Sequence, residues 1–388
     1  MDYAGTTASF GRRLDDESLH ALLSEVRSVT RALLADVGGT NVRFAIADSA
    51  TPEPLDRASI RRYEVDKFPT FADAVRQYLI DIGVDSVDDD LADRGYVAGG
   101  DARPNPGARP TQAVCAFAGP VMGDEVRMTN HAWIVSMSEL QRQIGFEQVR
   151  AINDFTAMAY AIALLGDADL QCVGDIALPR FASKPKQTFV ALGPGTGLGV
   201  AALLLRDGAI TALETEAGHV GFAPTSADQQ EILVRLSARF GRVSNERLLS
   251  GPGLVNIHVS LAEGADSAIE SLTPEQITSR ADDGTCAICI RAVETFCDIL
   301  GAVAGDTALA YAAWDGVYLA GGLAPVLLPW LQRGGFRRQF DDKGRYSRIV
   351  QAIPITVITH DEPGLLGAAA CALMDTGVDL TELRESAS

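Results

Sequence analysis

The chain has 388 residues, 47% hydrophobic and 22% charged, an ordinary soluble composition with room for two or three domains of about 100–200 residues. Its formal charge is -18, from 33 Lys and Arg against 51 Asp and Glu, which argues against nucleic acid as a partner because phosphate binding needs a basic face. No segment nears the ~18 unbroken apolar residues of a membrane helix. Asp15, Asp16 and Glu17 interrupt the N-terminus before any apolar signal-peptide core, so a cytoplasmic protein with no membrane partner is expected.

Residues 1–30 read as an appended arm, with Leu14, Leu19, Leu22, Leu23 and Val26 on one face of a helix. From Arg31 a buried-type strand, Ala32–Val37, meets the turn Gly38-Gly39-Thr40-Asn41 and a second strand, Val42–Asp48, which together predict a hairpin. Helical spacing runs over Phe68–Ile82. The stretch Gly83–Pro110 is rich in Gly, Pro and Asp and reads as a mobile insertion, with a solvated acidic run from Asp85 to Asp93. A buried strand follows at Ala113–Pro120. The short apolar segment Val149–Ile152 leads into Asn153-Asp154 and a helix over Phe155–Leu165.

A second block repeats the first design. Strand Thr188–Leu192, the glycine run Gly193–Gly199 and strand Val200–Leu205 echo residues 32–48. Helices are predicted over Gln229–Phe240 and near Thr285–Tyr311, strands over Gly316–Ala320 and Ile353–Thr359, and an Ala-rich helix over Leu365–Met374.

Several stretches have residues suited to chemistry. Asp154, where strand meets helix, is placed to take a proton from a hydroxyl or simply to cap the helix. The glycine turns let backbone N–H groups converge on phosphate oxygens, with Thr40 and Thr196 as hydroxyl donors. The chain has no G-x-x-x-x-G-K-[ST], so neither turn is a Walker loop. Asp36 is suited to a metal-nucleotide, directly or through water, or to stabilising its turn. Glu216 and His219 flank the small turn Ala217-Gly218, as binding groups, as two ligands of a metal site lacking a third, or as a turn in which His219 bonds backbone. Glu246 alone reads as a helix-surface residue partnered by Arg247. Cys286 and Cys289 form a C-x-x-C, which raises zinc or redox chemistry. With no second C-x-x-C or His nearby in sequence, and Cys297 following at helical spacing, core packing is the better reading.

Taken together, eight stretches resemble the bacterial glucokinases of the hexokinase/actin-like ATPase superfamily. They are Asp36-Val37-Gly38-Gly39-Thr40-Asn41, Met128-Thr129-Asn130-His131-Ala132-Trp133, Ile152-Asn153-Asp154-Phe155-Thr156-Ala157, Gly195-Thr196-Gly197-Leu198-Gly199-Val200, Glu216-Ala217-Gly218-His219-Val220, Ser250-Gly251-Pro252-Gly253-Leu254, Gly316-Val317-Tyr318-Leu319-Ala320-Gly321-Gly322 and His360-Asp361-Glu362-Pro363-Gly364-Leu365-Leu366-Gly367. They occur in family order from about residue 31 to about 375. The 30-residue arm and the loop near 84–110 depart from the family pattern without touching a motif. The Cys-rich zinc cluster that follows the His in the related repressor/open-reading-frame/kinase group is absent, which places the chain with the zinc-free glucokinases.

The resemblance implies an α/β, two-lobed actin-like ATPase (ribonuclease H-like) fold with a central cleft. The lobes would be residues 31–164 with 360–388, and residues 165–359. It implies Asp154 as catalytic base, with Asn153, Glu216, His219 and Glu246 beside it as sugar ligands. It implies Asp36, Gly38, Gly39, Thr40, Asn41, Gly195, Thr196 and Gly197 on the phosphates and Gly321 and Gly322 on the adenosine side. The expected reaction transfers a phosphoryl group from ATP, with Mg²⁺, to the 6-hydroxyl of glucose, and a homodimer is the expected assembly. Mg²⁺ is expected to have no direct protein ligand beyond Asp36 acting through water. The competing readings are a kinase for another hexose, a sugar-responsive regulator, and an ATPase machine that needs no Glu/His sugar turn.

Overall fold

The computed structural model describes residues 31–381 except 52, 86–107, 129–132, 180 and 266. The arm at 1–30, most of the 83–110 insertion and Thr129–Ala132 of the second motif therefore lie outside the described residues.

The first block opens with β1 (Arg31–Val37), β2 (Asn41–Asp48) and β3 (Leu55–Glu64) and continues with helix α1 (Phe71–Asp81), capped by the Thr70 side chain. Next come β4 (Gln112–Phe117), the small ribbon β5 (Glu125–Arg127) and β6 (Ile134–Ser136), α2 (Met137–Ile144), β7 (Gln148–Asn153) and α3 (Asp154–Ala161). β1, β2 and β3 form an antiparallel meander, while β4 and β7 run parallel to β1, in the order β3-β2-β1-β4-β7.

The second block has β8 (Leu170–Cys172), β9 (Lys186–Pro194), β10 (Leu198–Arg206), β11 (Ala209–Thr215), α4 (Ala227–Phe240), α5 (Gly251–Gly264), α6 (Pro274–Asp282) and α7 (Ala287–Tyr311). β12 (Gly316–Leu319), α8 (Leu323–Leu331), α9 (Gly335–Asp341), α10 (Ser347–Val350), β13 (Ile355–Ile358) and α11 (Pro363–Asp375) complete it. Its sheet runs β11-β10-β9-β12-β13-β8. Without the edge strand β8 this is the first sheet again: a three-stranded antiparallel meander with two parallel strands beside its first member.

Strand alternation sets the layers. In β1, Leu33, Ala35 and Val37 point to an outer core under α1, where Phe44 stacks on Tyr78 at 5.2 Å between centroids. Ala32 and Leu34 point the other way. In β9, Val190 and Leu192 face the helical layer of α5 and α7, and Phe189 and Ala191 face back. The two back faces share one core, filled by α3 and α11. α11 is buried from Gly364 to Leu373, as a helix apolar all round must be. The protein is thus two α/β lobes packed through a middle layer of two small-residue helices.

Several elements differ from expectation, and helices α2, α5, α6, α8, α9 and α10 were not singled out from the sequence. The helix after Asn153 ends at Ala161, and Ile162–Leu164 form a turn. β3 and β11 escaped the hydrophobic pattern because both are outer strands with mixed, half-exposed sequences, LDRASIRRYE and AITALET. The candidate residues collect beyond the carboxyl ends of the parallel strands β1, β7, β9 and β12, where ligands bind in α/β sheets.

Candidate active site

Asn153 ends β7 and caps α3: its Oδ1 accepts the N–H groups of Phe155 at 2.8 Å and Thr156 at 3.3 Å. Its amide donates to Gly119 O at 3.1 Å, which leaves one amide hydrogen for a ligand. The capping role that the sequence left open for Asp154 is therefore Asn153's. Asp154 is the first helical residue. Its Oδ1 accepts the Phe155 N–H at 2.9 Å, and Oδ2 makes no hydrogen bond among the described residues.

Burial raises the Asp154 pKa to about 7, with the negative charges of Asp36 and Glu216 adding to the shift. These three carboxylates come from β1, the start of α3 and the end of β11, so both sheets contribute. The β1–β2 register sets Asp36 opposite Arg43, whose guanidinium donates to Asp36 Oδ2 at 3.2 Å and lies 3.3 Å from Glu362 Oε2. Burial raises the Asp36 and Glu362 pKa values, and Arg43 opposes the shift in both. Arg43 and Glu362 were not singled out from the sequence. The hairpin pattern does place Arg43 across from Asp36, but nothing local brings Glu362 to them.

Glu216, His219 and Glu246 also meet. His219 Nε2 lies 4.0 Å from Glu216 Oε2, and Nδ1 lies 3.8 Å from Glu246 Oε1. These separations are too long for hydrogen bonds and leave polar atoms available to a ligand. The turn is built by its backbone: His219 N–H donates to Glu216 O at 3.0 Å, and Arg242 donates to His219 O at 2.8 Å. Asn245 N–H donates to Val220 O at 2.9 Å, joining this turn to the one carrying Glu246.

Glu246 is not a helix-surface residue paired with Arg247. It sits in a 3-10 turn, Asn245–Arg247, and Arg247 stacks over Phe240. Its Oε2 accepts the Leu198 N–H at 3.0 Å and reaches so close to Gly197 that a Cβ there would lie 2.5 Å from it. Two residues on, a Cβ at Gly199 would fall 1.7 Å from the Phe155 ring. The glycines at 197 and 199 thus admit Glu246 and the start of α3 against one loop.

That loop is closed by Gly195 N–H donating to Gly197 O at 2.8 Å, and Gly195 O accepts Gly251 N–H from the start of α5 at 2.8 Å. Thr196 is exposed at its tip. Gly321, with φ 78°, and Gly322 form the turn from β12 to α8, beside β9 through the Ala320 N–H to Leu192 O bond of 2.9 Å. The Gly38-Gly39-Thr40-Asn41 turn bonds within its own sheet, Gly38 N–H to Asn41 O at 2.9 Å and Val65 N–H to Thr40 O at 3.0 Å. It joins the group through Asp36 at the end of β1.

A buried carboxylate beside a Glu-His-Glu cluster and paired glycine turns, on a duplicated α/β frame, is the arrangement of the sugar kinases of the actin-like fold. The glucokinase family model matches residues 33–375. A glucokinase of Stenotrophomonas maltophilia (strain R551-3) is 46% identical over 341 residues, covering 88% of this chain and 94% of that one. Among solved structures, a glucokinase from an Antarctic psychrotroph superposes with a TM-score of 0.72 at 30% identity, over 89% of this chain and 99% of the other. A Balamuthia mandrillaris glucokinase in complex with glucose gives 0.65 at 22% identity, over 92% and 99%. The chain belongs to the glucokinase family.

Proposed function

We propose that the protein transfers the γ-phosphoryl group of ATP to the 6-hydroxyl of glucose, with Asp154 as general base. The observation that carries this reading is the Asp154 carboxylate, held near neutral pKa with one oxygen uncommitted, between Asp36 and Glu216. A base is most effective when its pKa lies near the working pH.

Glu216, Glu246 and His219, with the remaining Asn153 amide hydrogen, hold the other hydroxyls and orient the 6-hydroxyl toward Asp154. The oxygen attacks Pγ, an O–P bond forms, the bond from Pγ to the bridging oxygen breaks, and ADP leaves with the electron pair. Asp154 receives the hydroxyl proton. The turns Gly38–Asn41 and Gly195–Gly197 bind the phosphates through the N–H groups not spent inside them, since those of Gly38 and Gly195 close the turns; the Thr40 and Thr196 hydroxyls assist, and Gly321-Gly322 lies on the adenosine side. Catalysis is then mainly positioning and charge stabilisation.

The chemistry near Asp36 fits Mg²⁺: Asp36 lies within electrostatic reach of Asp154 on one side and of Glu362 on the other, and burial raises the Asp36 and Glu362 pKa values, a cost that a cation would relieve. When bound, Mg²⁺ neutralises charge on the phosphates, with Asp36 holding its hydration shell.

The proposed lobes are residues 31–164 with 360–388, and residues 165–359, a division supported by the packing of α11 on the first sheet. No helix among the described residues is long and apolar enough to cross a membrane; the proposed location is the cytoplasm, where ATP is supplied. A homodimer is the proposed assembly, tested by light scattering.

Coupled detection of ADP over a panel of glucose, mannose, galactose and fructose tests the function. The highest kcat/KM is expected for glucose, with loss of turnover in EDTA. ATP turnover that proceeds without sugar would point to an ATPase machine, and preference for another hexose would reassign the substrate.

A further inference from the structure

Away from the cleft, the fold assembles three soft-metal donors from distant parts of the chain. Cys286 caps α7, and its Sγ accepts the Cys289 N–H at 3.2 Å. Cys289, one turn further on, is fully buried. His258 comes from the middle of α5 and is 4% exposed, and its Nδ1 is buried without a hydrogen-bond partner. One ligand atom from each of the three lies within 4.8 Å of the others. Both cysteines are free thiols.

We propose that His258, Cys286 and Cys289 bind a zinc-class divalent cation that pins α5 to α7. Two thiolates and an imidazole are the donor set that Zn²⁺ selects over harder cations, and C-x-x-C is a ligand spacing it uses. Zn–S bonds of about 2.3 Å and Zn–N bonds of about 2.0–2.1 Å set tetrahedral ligand atoms roughly 3.5–3.8 Å apart. Closing the present triangle from separations of up to 4.8 Å therefore takes a shift of at most about 1.3 Å. Such a shift is open to Cys286, the half-exposed member at the helix start. Burial and the neighbouring Cys286 push the Cys289 thiol up to about 12, so the cation has to displace that proton. On binding, each thiol loses its proton to solvent, two S–metal bonds and one N–metal bond form, and water takes the fourth position.

An orphaned Nδ1 in a core is costly, and coordination or the orientation that coordination imposes gives this ring a purpose that packing does not. The site is distinct from the Cys-rich cluster that follows the Glu/His turn in the repressor/open-reading-frame/kinase group: it is built by α5 and α7. Because Gly251 at the start of α5 donates to Gly195 O, the cation would steady the base of the second glycine turn.

The test uses the full chain, stripped with a chelator under a phosphine reductant and titrated with Co²⁺. One equivalent is expected to bind, with a near-ultraviolet thiolate-to-cobalt charge-transfer band that Zn²⁺ abolishes by displacement. Cys286→Ser keeps a good N-cap, so it should fold as the parent does while losing the band. It should bind at least about 100-fold more weakly, at the upper end of what removing an outer-shell partner costs. Cys172→Ser, at an exposed cysteine outside the cluster, should bind as the parent does. Substoichiometric binding, unchanged binding by Cys286→Ser, or a Cys286–Cys289 disulfide in the protein as purified would each overturn the proposal.

Discussion

The Glu246 carboxylate accepts the backbone N–H of Leu198 at 3.0 Å, tying the group beside His219 to the loop that follows β9. One side chain thus has a face toward each proposed substrate. Glu246→Ala removes a charged acceptor from a backbone donor, a loss typically worth about 1.5–3 kcal/mol. Steady-state kinetics should show KM rising about tenfold or more for both glucose and ATP, since 1.4 kcal/mol is a factor of ten. A rise confined to glucose would show that the Leu198 bond does not shape the nucleotide loop.

Asp154→Asn should lower kcat by about 10²–10⁴-fold, the usual worth of general-base catalysis. Glucose should still bind in calorimetry, because the other hydroxyl-reading groups are untouched. The helix start should hold, because Asn153 and not residue 154 makes the capping bonds. Turnover like that of the parent would remove Asp154 from the role of base.

The same carboxylate sets a pH dependence. A base with its pKa near 7 is protonated below that pH, so log kcat/KM should fall with a slope of about one per pH unit on the acid side. A flat profile down to pH 5 would mean that the group titrates at an ordinary carboxylate pKa in the free enzyme.

Stability should run the other way. The folded state holds the Asp154 proton up to about pH 7, against 3.8 for an ordinary aspartate. The group's contribution to stability is thus fully present below about pH 4 and is lost as pH rises through 7. Asp154→Asn carries no charge to bury. Above pH 7 it should therefore be more stable than the parent by roughly 1–3 kcal/mol, allowing for residual solvent at the site. The gap should close below pH 4. Urea unfolding at pH 4 and pH 8 measures both, and an equal gap at the two pH values would contradict the linkage.

Gly199→Ala forces a methyl into the Phe155 ring. Overpacking of this kind costs about 1–3 kcal/mol, and here the strain falls on the residue next to Asp154. Both denaturant midpoint and kcat should drop, and Phe155→Leu in the same chain should restore part of the stability. A neutral Gly199→Ala would mean that α3 and the loop move apart freely.

Much of this was legible locally. Continuous apolar runs of strand length and the two glycine turns located β1, β2, β9 and β10, and their repetition announced a duplicated frame, because such runs and turn chemistry are properties of neighbouring residues. The motif order carried the family and pointed to Asp154, Glu216 and His219, with Glu246 just ahead of the Ser250-Gly251-Pro252 stretch. The edge strands β3 and β11 stayed hidden because their exposed faces dilute the pattern.

Which groups touch was decided only by the tertiary structure. The sequence left Asp154 as either cap or base, and the chain path off β7 assigned the cap to Asn153. Glu246 and Leu198 are 48 residues apart, Arg43 and Glu362 lie at opposite ends of the chain, and His258 reaches Cys286 and Cys289 from another helix. No local preference encodes such pairs. They follow from the stacking of two sheets on a shared middle layer, where the burial of α3 and α11 fixes how the strand ends of one lobe face those of the other.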